Sequence, residues 1–244
     1  MIRKHFHDLS FDGKLLSDFG VHISGEGTFN APEKQYETVE VPGRSGDLHI
    51  SKGKFANITV KYPAFIFDDF DNNLSLLKNY MLSKDGYKRL EDTYHSEEYR
   101  MAMYKGPLSP TVTLLLAGTF DLEFQCKPQR YLKNGEQPVT FTSSGGSIFN
   151  LTSFESFPMI RIYGTGSVGL GDNTITIRSG HGQSYIDIDC ELMDAFHDAT
   201  NCNPYVTFYT PTGNNRITLK PGSNGVSFEN GISKVMIWPR WWIL

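Results

Sequence analysis

Short segments in which apolar and polar residues alternate recur along most of the chain. In the segment FDLEFQCK, four apolar residues fall on one side of an extended backbone and polar residues fall on the other. The apolar side comprises Phe120, Leu122, Phe124 and Cys126. This alternation predicts a half-buried strand. Because proline has no backbone N–H and restricts the residue before it, we expect the strand to end at Pro128.

One segment, FDNNLSLLKNYMLSKDG, has helical periodicity instead. Its apolar residues are spaced three and four apart, so they line one face of a helix. These residues are Leu74, Leu77 and Met81. The pattern predicts a helix from about Phe70 to Ser83, capped by Asp71 or Asn72 and packed on one face of a sheet.

The first third of the chain contains strand patterns on both sides of a long polar stretch. LLSDFGVHI and ANITVKYPAFIF predict strands, and residues 24–54 lie between them. Within this stretch, YETVEV also alternates, which predicts an extended hairpin arm. Such an arm cannot bury both of its faces on its own chain, so it needs a neighbour. Further along, YKRLEDTY and EYRMAMYKG predict two strands joined as a hairpin.

The pattern changes near residues 133–137. From Pro138 onward the chain consists of short alternating segments separated by Gly, Asn, Pro or Ser, which is typical of an all-β sandwich. The segments are VTFTS, PMIRIYG, NTITIRS, SYIDIDC, YVTFYT, RITLK, GVSFEN and SKVMIWP. We therefore predict a mainly β protein with a mixed first domain, residues 1–134, and a β-sandwich second domain, residues 135–244.

Composition narrows the function classes. The chain has 244 residues, long enough for two domains, and a formal charge of -4. Its basic residues are mostly isolated, which argues against a nucleic-acid binder. The opening MIRKHFHDLS lacks the apolar core of a secretory signal, and the longest aliphatic run, LLLA, is too short to cross a bilayer. We expect a soluble protein without membrane insertion.

Three cysteines, an odd number, predict a chain made in a reducing compartment without a disulfide scaffold. Cys190 and Cys202 could bridge, or could share a metal with His197. The spacings from Cys190 to His197 and from His197 to Cys202 do not match a known zinc-binding pattern. Buried thiols are therefore favoured for both cysteines and for Cys126.

The segment IDIDCE places Asp187, Asp189 and Glu191 on one face of a strand. Three carboxylates in a row could hold calcium, or two could act as acid and base on a glycoside. The favoured interpretation is the solvent-facing side of a sandwich strand, because no neighbouring loop has a calcium-binding sequence.

The three tryptophans, Trp238, Trp241 and Trp242, lie in the final segment MIWPRWWIL. They could stack on sugar rings or seal a contact between domains or subunits. Sealing is favoured, since Ile243 and Leu244 continue the apolar character.

Sequence motifs of catalysis are missing. There is no nucleophile elbow, P-loop or dinucleotide fingerprint, and GTGSVGLG, at 164–171, lacks the Lys-Ser/Thr pair and helix of a phosphate loop, which favours a β-turn. We expect no enzyme activity, no cofactor and no metal.

Taken together, several short motifs resemble the distal tail (Dit) family of long-tailed siphovirus bacteriophages. They are FDGKLLSDFGVHI, EVPGRSGDL, a helix after FIFDDFDNN, TFDLEFQCKPQRY, KPGSNGVSF and VMIWPRW, and they span nearly the whole chain in order. The resemblance implies a virion protein at the tail tip or baseplate, assembled in the host cytoplasm. It also implies a ring-forming first domain with one helix and an extended hairpin arm, followed by a galectin-like sandwich.

The resemblance implies a homo-hexameric ring around a channel through which DNA passes without specific binding. The ring would connect the tail tube protein to the tail-associated hub protein and the host-adhesion apparatus, and in some family members the outer domain holds receptor-binding proteins. On this hypothesis the arm forms the oligomer interface through Tyr36, Val39, Val41 and Arg44. The segment 128–137, with Pro128, Arg130 and Tyr131, forms the domain joint.

The alternative function is a carbohydrate-binding module that contacts host cell-wall glycans. It is motivated by the predicted sandwich and the terminal tryptophans. A galectin-like fold does not by itself establish a sugar site.

Overall fold

The computed structural model describes residues 7–25, 27–113, 117–211, 213, 216–229 and 231–244. The chain divides into two compact units, and the division falls between Arg130 and Tyr131, close to the predicted boundary after residue 134. The described residues form mainly β-strands with one α-helix, which confirms the predicted fold class. In the described part of the chain, no helix is long and apolar enough to span a membrane.

The first unit is built on one sheet whose strands follow the order β2-β1-β7-β8-β10-β6-β3, with β9 paired to β10. Its strands are β1 (Leu9–Phe11), β2 (Lys14–Leu15), β3 (Val21–Ile23), β4 (Lys34–Val39), β5 (Leu48–Phe55), β6 (Ile58–Ile66), β7 (Lys88–Asp92), β8 (Glu98–Tyr104), β9 (Thr111–Thr113) and β10 (Ala117–Leu132), the last of which continues into the second unit. A 3-10 helix, Leu16–Phe19, and the helix α1, Phe70–Leu82, complete it.

Strand β10 confirms the predicted alternation but not its predicted end. Leu122, Phe124 and Cys126 are fully buried in the core. The strand does not stop at Pro128, however, but runs to Leu132, so that prediction was wrong. The antiparallel ladder with β6 ends at Cys126. Pro128 lies beyond that ladder, so its missing N–H removes no hydrogen bond to β6.

The segment LLSDFGVHI is not one strand, contrary to prediction. It forms the end of β2, the 3-10 helix Leu16–Phe19 and then β3. Leu16 and Phe19 are both buried, and residues three apart share a face in a 3-10 helix. Gly20 ends this turn in the left-handed region, with a φ of 65°.

Helix α1 confirms the predicted helix and its apolar face. Leu74, Leu77 and Met81 are buried, and the ring of Phe70 lies so close to Gly118 of β10 that a Cβ there would be 2.3 Å from it. The helix therefore packs on the sheet, as predicted. The predicted cap was wrong: the N-cap residue is Asp69, in the left-handed region.

The two predicted hairpins of the first unit are confirmed. Strands β7 and β8 pair in antiparallel fashion within the main sheet. Strands β4 and β5 form a separate two-stranded antiparallel sheet, which is the predicted arm.

The second unit is a sandwich of two antiparallel sheets, ordered β11-β21-β13-β16-β17-β18 and β12-β20-β14-β15-β19. Residues of both sheets, such as Ile162 and Ile188 from the first and Val168 and Ile175 from the second, share one apolar core. The strands are β11 (Val139–Phe141), β12 (Gly146–Asn150), β13 (Met159–Gly164), β14 (Gly166–Leu170), β15 (Asn173–Ile177), β16 (Ile186–Asp189), β17 (Asp194–His197), β18 (Thr200–Asn201), β19 (Val206–Tyr209), β20 (Gly222–Phe228), β21 (Ile232–Trp238) and β22 (Trp242–Ile243), with 3-10 helices Lys133–Glu136 and Asn203–Tyr205.

Two predicted elements of the second unit were wrong. GTGSVGLG is not a turn but contains β14, which lies between β15 and β20 in its sheet. Its residues Val168 and Leu170 are buried in the core of the sandwich. RITLK is not a strand, although Leu219 forms an isolated bridge with Ser156.

Candidate assembly surfaces and buried charges

The arm has one apolar face that is open to solvent. Val39 lies directly opposite Leu48, and Glu37 lies opposite Ile50, so these four side chains share a face. The aliphatic side chains are exposed: Val39 by 38%, Leu48 by 45% and Ile50 by 48%. We call these three residues the apolar face of the arm. Aliphatic groups this exposed, next to one another on a two-stranded sheet, are available for a second chain to cover.

The other face of the arm is more polar. Thr38 Oγ1 lies 3.3 Å from Nδ1 of His49, and the ring of Tyr36 meets the His49 ring edge-on. The predicted interface residues Tyr36 and Val39 therefore lie on opposite faces of the same hairpin. Their role in an interface stays a prediction.

The remaining predicted interface residues lie at the turn of the hairpin. Val41 is half-buried just beyond β4, and its carbonyl accepts a hydrogen bond from the N–H of exposed Arg44 at 3.2 Å. The sequence interpretation missed Leu48 and Ile50. Their spacing by two residues in β5 is the signal that could have identified them.

The predicted domain joint coincides with the division between the units, which falls between Arg130 and Tyr131. Pro128 is buried within β10, and Arg130 is tied to the first unit, because its Nε lies 2.8 Å from Oε2 of Glu98. Whether this segment acts as a joint stays a prediction.

Arg100, on β8, is a buried cation that the sequence interpretation did not identify. Its side chain is 5% exposed, and among the described residues neither of its terminal nitrogens has a hydrogen-bond partner. Burial lowers the pKa of Arg100, and the nearby charge of Arg130 lowers it further. A buried cation without a partner costs free energy in the folded state.

We therefore expect Arg100→Met to stabilise the protein by about 1–3 kcal/mol, because an apolar side chain of similar length replaces a poorly compensated charge. The matched variant Arg130→Met should lower stability, since it leaves the half-buried Glu98 without its cation. Thermal unfolding followed by circular dichroism measures both. A lower melting temperature for Arg100→Met would show that the guanidinium has a stabilising partner.

The carboxylates of IDIDCE are paired with arginines. Asp187 is 4% exposed, and its two oxygens accept hydrogen bonds from Nε and Nη2 of Arg161 at 2.6 and 2.7 Å. Asp189 binds Nη1 and Nη2 of Arg240 at 3.0 and 2.9 Å. The predicted solvent-facing row was therefore wrong for Asp187, while Glu191 is exposed. Bidentate arginine pairs fix both aspartates in place.

The Asp189–Arg240 pair should make stability depend on pH. Burial alone would raise the pKa of Asp189, but hydrogen bonds and charge from Arg240, with backbone N–H groups of Leu192 and Glu191, hold that pKa below its ordinary value. A carboxyl whose pKa is lowered by folding stabilises the folded state above its unfolded pKa of about 3.9, and the contribution is lost as the pH falls through the folded value.

We expect Asp189→Asn to lower the melting temperature at pH 7, with a difference from the wild type that shrinks below about pH 4. Thermal unfolding from pH 7 to pH 2.5 measures this difference. A difference that stays constant over the whole range would contradict the assignment.

The three tryptophans are packed within the second unit. Trp241 is 9% exposed and belongs to the sandwich core. Trp242 stacks on Phe154 with ring centroids 4.4 Å apart, and its Nε1 donates to the carbonyl of Glu155 at 2.9 Å. Trp238, at the end of β21, is half-buried. These contacts weaken the argument for stacking on sugars, and the predicted seal between domains or subunits stays a prediction.

The cysteines are buried and free, as favoured from the sequence. Burial raises the pKa of Cys126 to about 12 and that of Cys190 also above its ordinary value, which makes both thiols unreactive. His197 Nδ1 lies 3.1 Å from the carbonyl of Tyr185. Within the described ranges, no cluster of three or more His, Cys, Asp or Glu side chains is placed to hold a metal ion.

Of three comparisons with known proteins, only the comparison with solved structures gives a match. No protein-family model and no curated protein matches the chain. Among solved structures, the chain is similar to the Dit (gp 19.1) protein of SPP1, with a TM-score of 0.72 and 13% identity over 98% of this chain and 99% of that one. That protein is described as a paradigm of the hub adsorption apparatus in phages that infect Gram-positive bacteria. At this identity the likeness shows the fold, and the resemblance predicted from the sequence is confirmed at that level.

Proposed function

We propose that this chain is a structural component of a bacteriophage tail tip. The observation that carries the proposal is the likeness to the SPP1 Dit protein, which covers both units and almost the full length of both chains. On this proposal the protein resides in the virion and is assembled in the host cytoplasm. Its partners are the tail tube protein, the tail-associated hub protein and receptor-binding proteins.

The arm supports assembly of identical copies into a ring. Within the described residues β4 and β5 pair only with each other, which leaves their outer edges open, and the apolar face formed by Val39, Leu48 and Ile50 is exposed in the single chain. If each arm packs on the next copy, the contacts are head-to-tail, and such contacts form a ring when the rotation closes. The number six comes from the resemblance to the distal tail family.

A ring of this kind encloses a channel for DNA. The chain carries a formal charge of -4, and a protein that lets DNA slide should not neutralise many phosphates, because each such contact adds affinity. We propose that DNA passes without specific binding.

The carboxylates that could have supported catalysis favour a structural role instead. Asp187 and Asp189 are each held by an arginine through two hydrogen bonds. A general acid or base must be placed to exchange a proton with a substrate, and these geometries occupy both oxygens of each carboxylate.

Native mass spectrometry and negative-stain electron microscopy test the proposal. We expect a species of six times the 27.5 kDa protomer mass and ring-shaped particles with a central hole. Since some rings close only at high concentration or on a partner, the same experiment is done with the tail tube and hub proteins of the same phage. Protomers alone under all these conditions would contradict the ring.

A further inference from the structure

A cavity of about 270 Å³ opens in the second unit beside the turn that joins β14 to β15. Two of its polar side chains, Asn173 and Thr218, are buried, and three charged side chains lie at its rim. The lining includes Glu155, Phe157, Asn173, Arg216, Thr218 and Lys220. Its volume is close to the lower limit of typical ligand sites, so it suits one small molecule or one ring of a larger one.

Asn173 is the reason to expect a ligand. Among the described residues of this unit three asparagines are buried, and two have well-formed hydrogen bonds: Asn150 to the carbonyls of Phe154 and Leu219, and Asn224 to both backbone groups of Lys220. Asn173, 7% exposed, has one side-chain hydrogen bond among the described residues, from Nδ2 to the carbonyl of Thr218 at the long distance of 3.5 Å. A side-chain amide offers two donors and two acceptor positions, and the positions of Asn173 that this bond leaves unused face the cavity and are available to a ligand.

Backbone hydrogen bonds hold two segments of the cavity wall in place. Ser156 and Leu219 exchange two backbone hydrogen bonds, at 3.1 and 2.9 Å, and so tie the segment of Glu155 and Phe157 to that of Thr218 and Lys220. The amide of Asn224 holds the backbone of Lys220 from the other side. A preformed cavity loses little conformational entropy on binding.

The charges at the rim indicate a neutral ligand. Lys220 is paired with Asp172 at 2.7 Å, and Arg216 and Glu155 carry opposite charges. An anion such as phosphate would gain from the cations but would face the Glu155 carboxylate. Hydroxyl groups, which both donate and accept, match the mixed donors and acceptors of this lining.

We propose that this cavity binds one ring of a neutral saccharide. The amide of Asn173 donates to one ring hydroxyl and accepts from its neighbour, and Glu155 accepts from a further hydroxyl. The Phe157 ring, over which the guanidinium of Arg216 lies 5.7 Å from the centroid, forms the apolar part of the wall. None of the three tryptophans lines the cavity, although Trp242 donates a hydrogen bond to the backbone carbonyl of Glu155. The site does not depend on ring assembly, so each proposal can fail without the other.

Ligand-observed saturation-transfer NMR on the full chain tests the site with glucose, galactose and N-acetylglucosamine as probes, and with inorganic phosphate by titration. We expect at least one of these sugars to bind with a dissociation constant on the order of millimolar, as is usual for so small a ligand. No transfer to any of the three, or binding of phosphate with none of the sugars, would overturn the proposal.

Three variants locate the binding. Asn173→Leu should abolish sugar binding, since it removes the buried amide, while Thr174→Val, whose side chain lies on the opposite side of β15, should leave binding unchanged. If Asn173→Leu does not fold, Glu155→Gln at the exposed rim serves instead, with an expected loss of about tenfold. Equal binding by the wild type and by the folded cavity variant would show that the sugar binds elsewhere and would overturn the assignment.

Discussion

Ile50→Lys is expected to dissociate the proposed ring into protomers. Ile50 lies on the apolar face of the arm and is 48% exposed in the single chain, so the change should not harm the protomer. The new lysine lies opposite Glu37, and an opposite-charge pair across the strands supports the hairpin. In a ring the same ammonium would be buried against the next copy, at a cost of about 3 kcal/mol or more at every interface. This free energy corresponds to a loss of more than 100-fold in affinity at each interface.

Native mass spectrometry of Ile50→Lys beside the wild type measures this loss. The control is Thr207→Lys, which adds the same charge at an exposed position of β19, far along the sequence from the arm, and should leave the mass unchanged. Circular dichroism verifies that both variants are folded. A wild-type ring that persists in Ile50→Lys would show that the apolar face of the arm is not the contact between copies.

The elements with strong periodicity could be predicted from the sequence, because the spacing of their apolar residues alone determines which side chains are buried. Helix α1 buries the three residues that its spacing selects, and β10 buries alternate residues up to Pro128. Two predictions about strands were wrong because a second structural rule applies to the same residues. Pro128 is compatible with a strand where the neighbouring ladder has ended, and Leu16 and Phe19 are buried by a 3-10 turn where alternation predicted a strand.

The arginine partners of the buried aspartates could not be predicted from the sequence, because they lie far from the aspartates along the chain. Asp187 and Asp189 were visible as a row of carboxylates, but their partners, Arg161 and Arg240, are brought to them by the order of β13, β16 and the terminal segment. No local pattern marks those arginines. The same holds for Asn173, whose lack of strong partners is a property of the folded cavity wall.

Asp187→Asn is expected to lower the free energy of unfolding by about 2–3 kcal/mol. The substitution keeps the shape of the side chain but removes its charge, so the guanidinium of Arg161 loses its counter-ion and one of two short hydrogen bonds. Asp187 is 4% exposed, and water cannot replace the lost interaction there. The melting temperature should fall by roughly 10 °C for a unit of this size.

The matched control is Asp172→Asn, which breaks an ion pair of similar length to Lys220, at 2.7 Å. Both of those side chains are more than half exposed, so water and salt already screen the pair, and we expect no measurable change in melting temperature. Urea denaturation at neutral pH compares the two variants with the wild type. Equal effects of the two substitutions would mean that burial does not decide the strength of these pairs, and that Asp187 has no special part in holding β13 to β16.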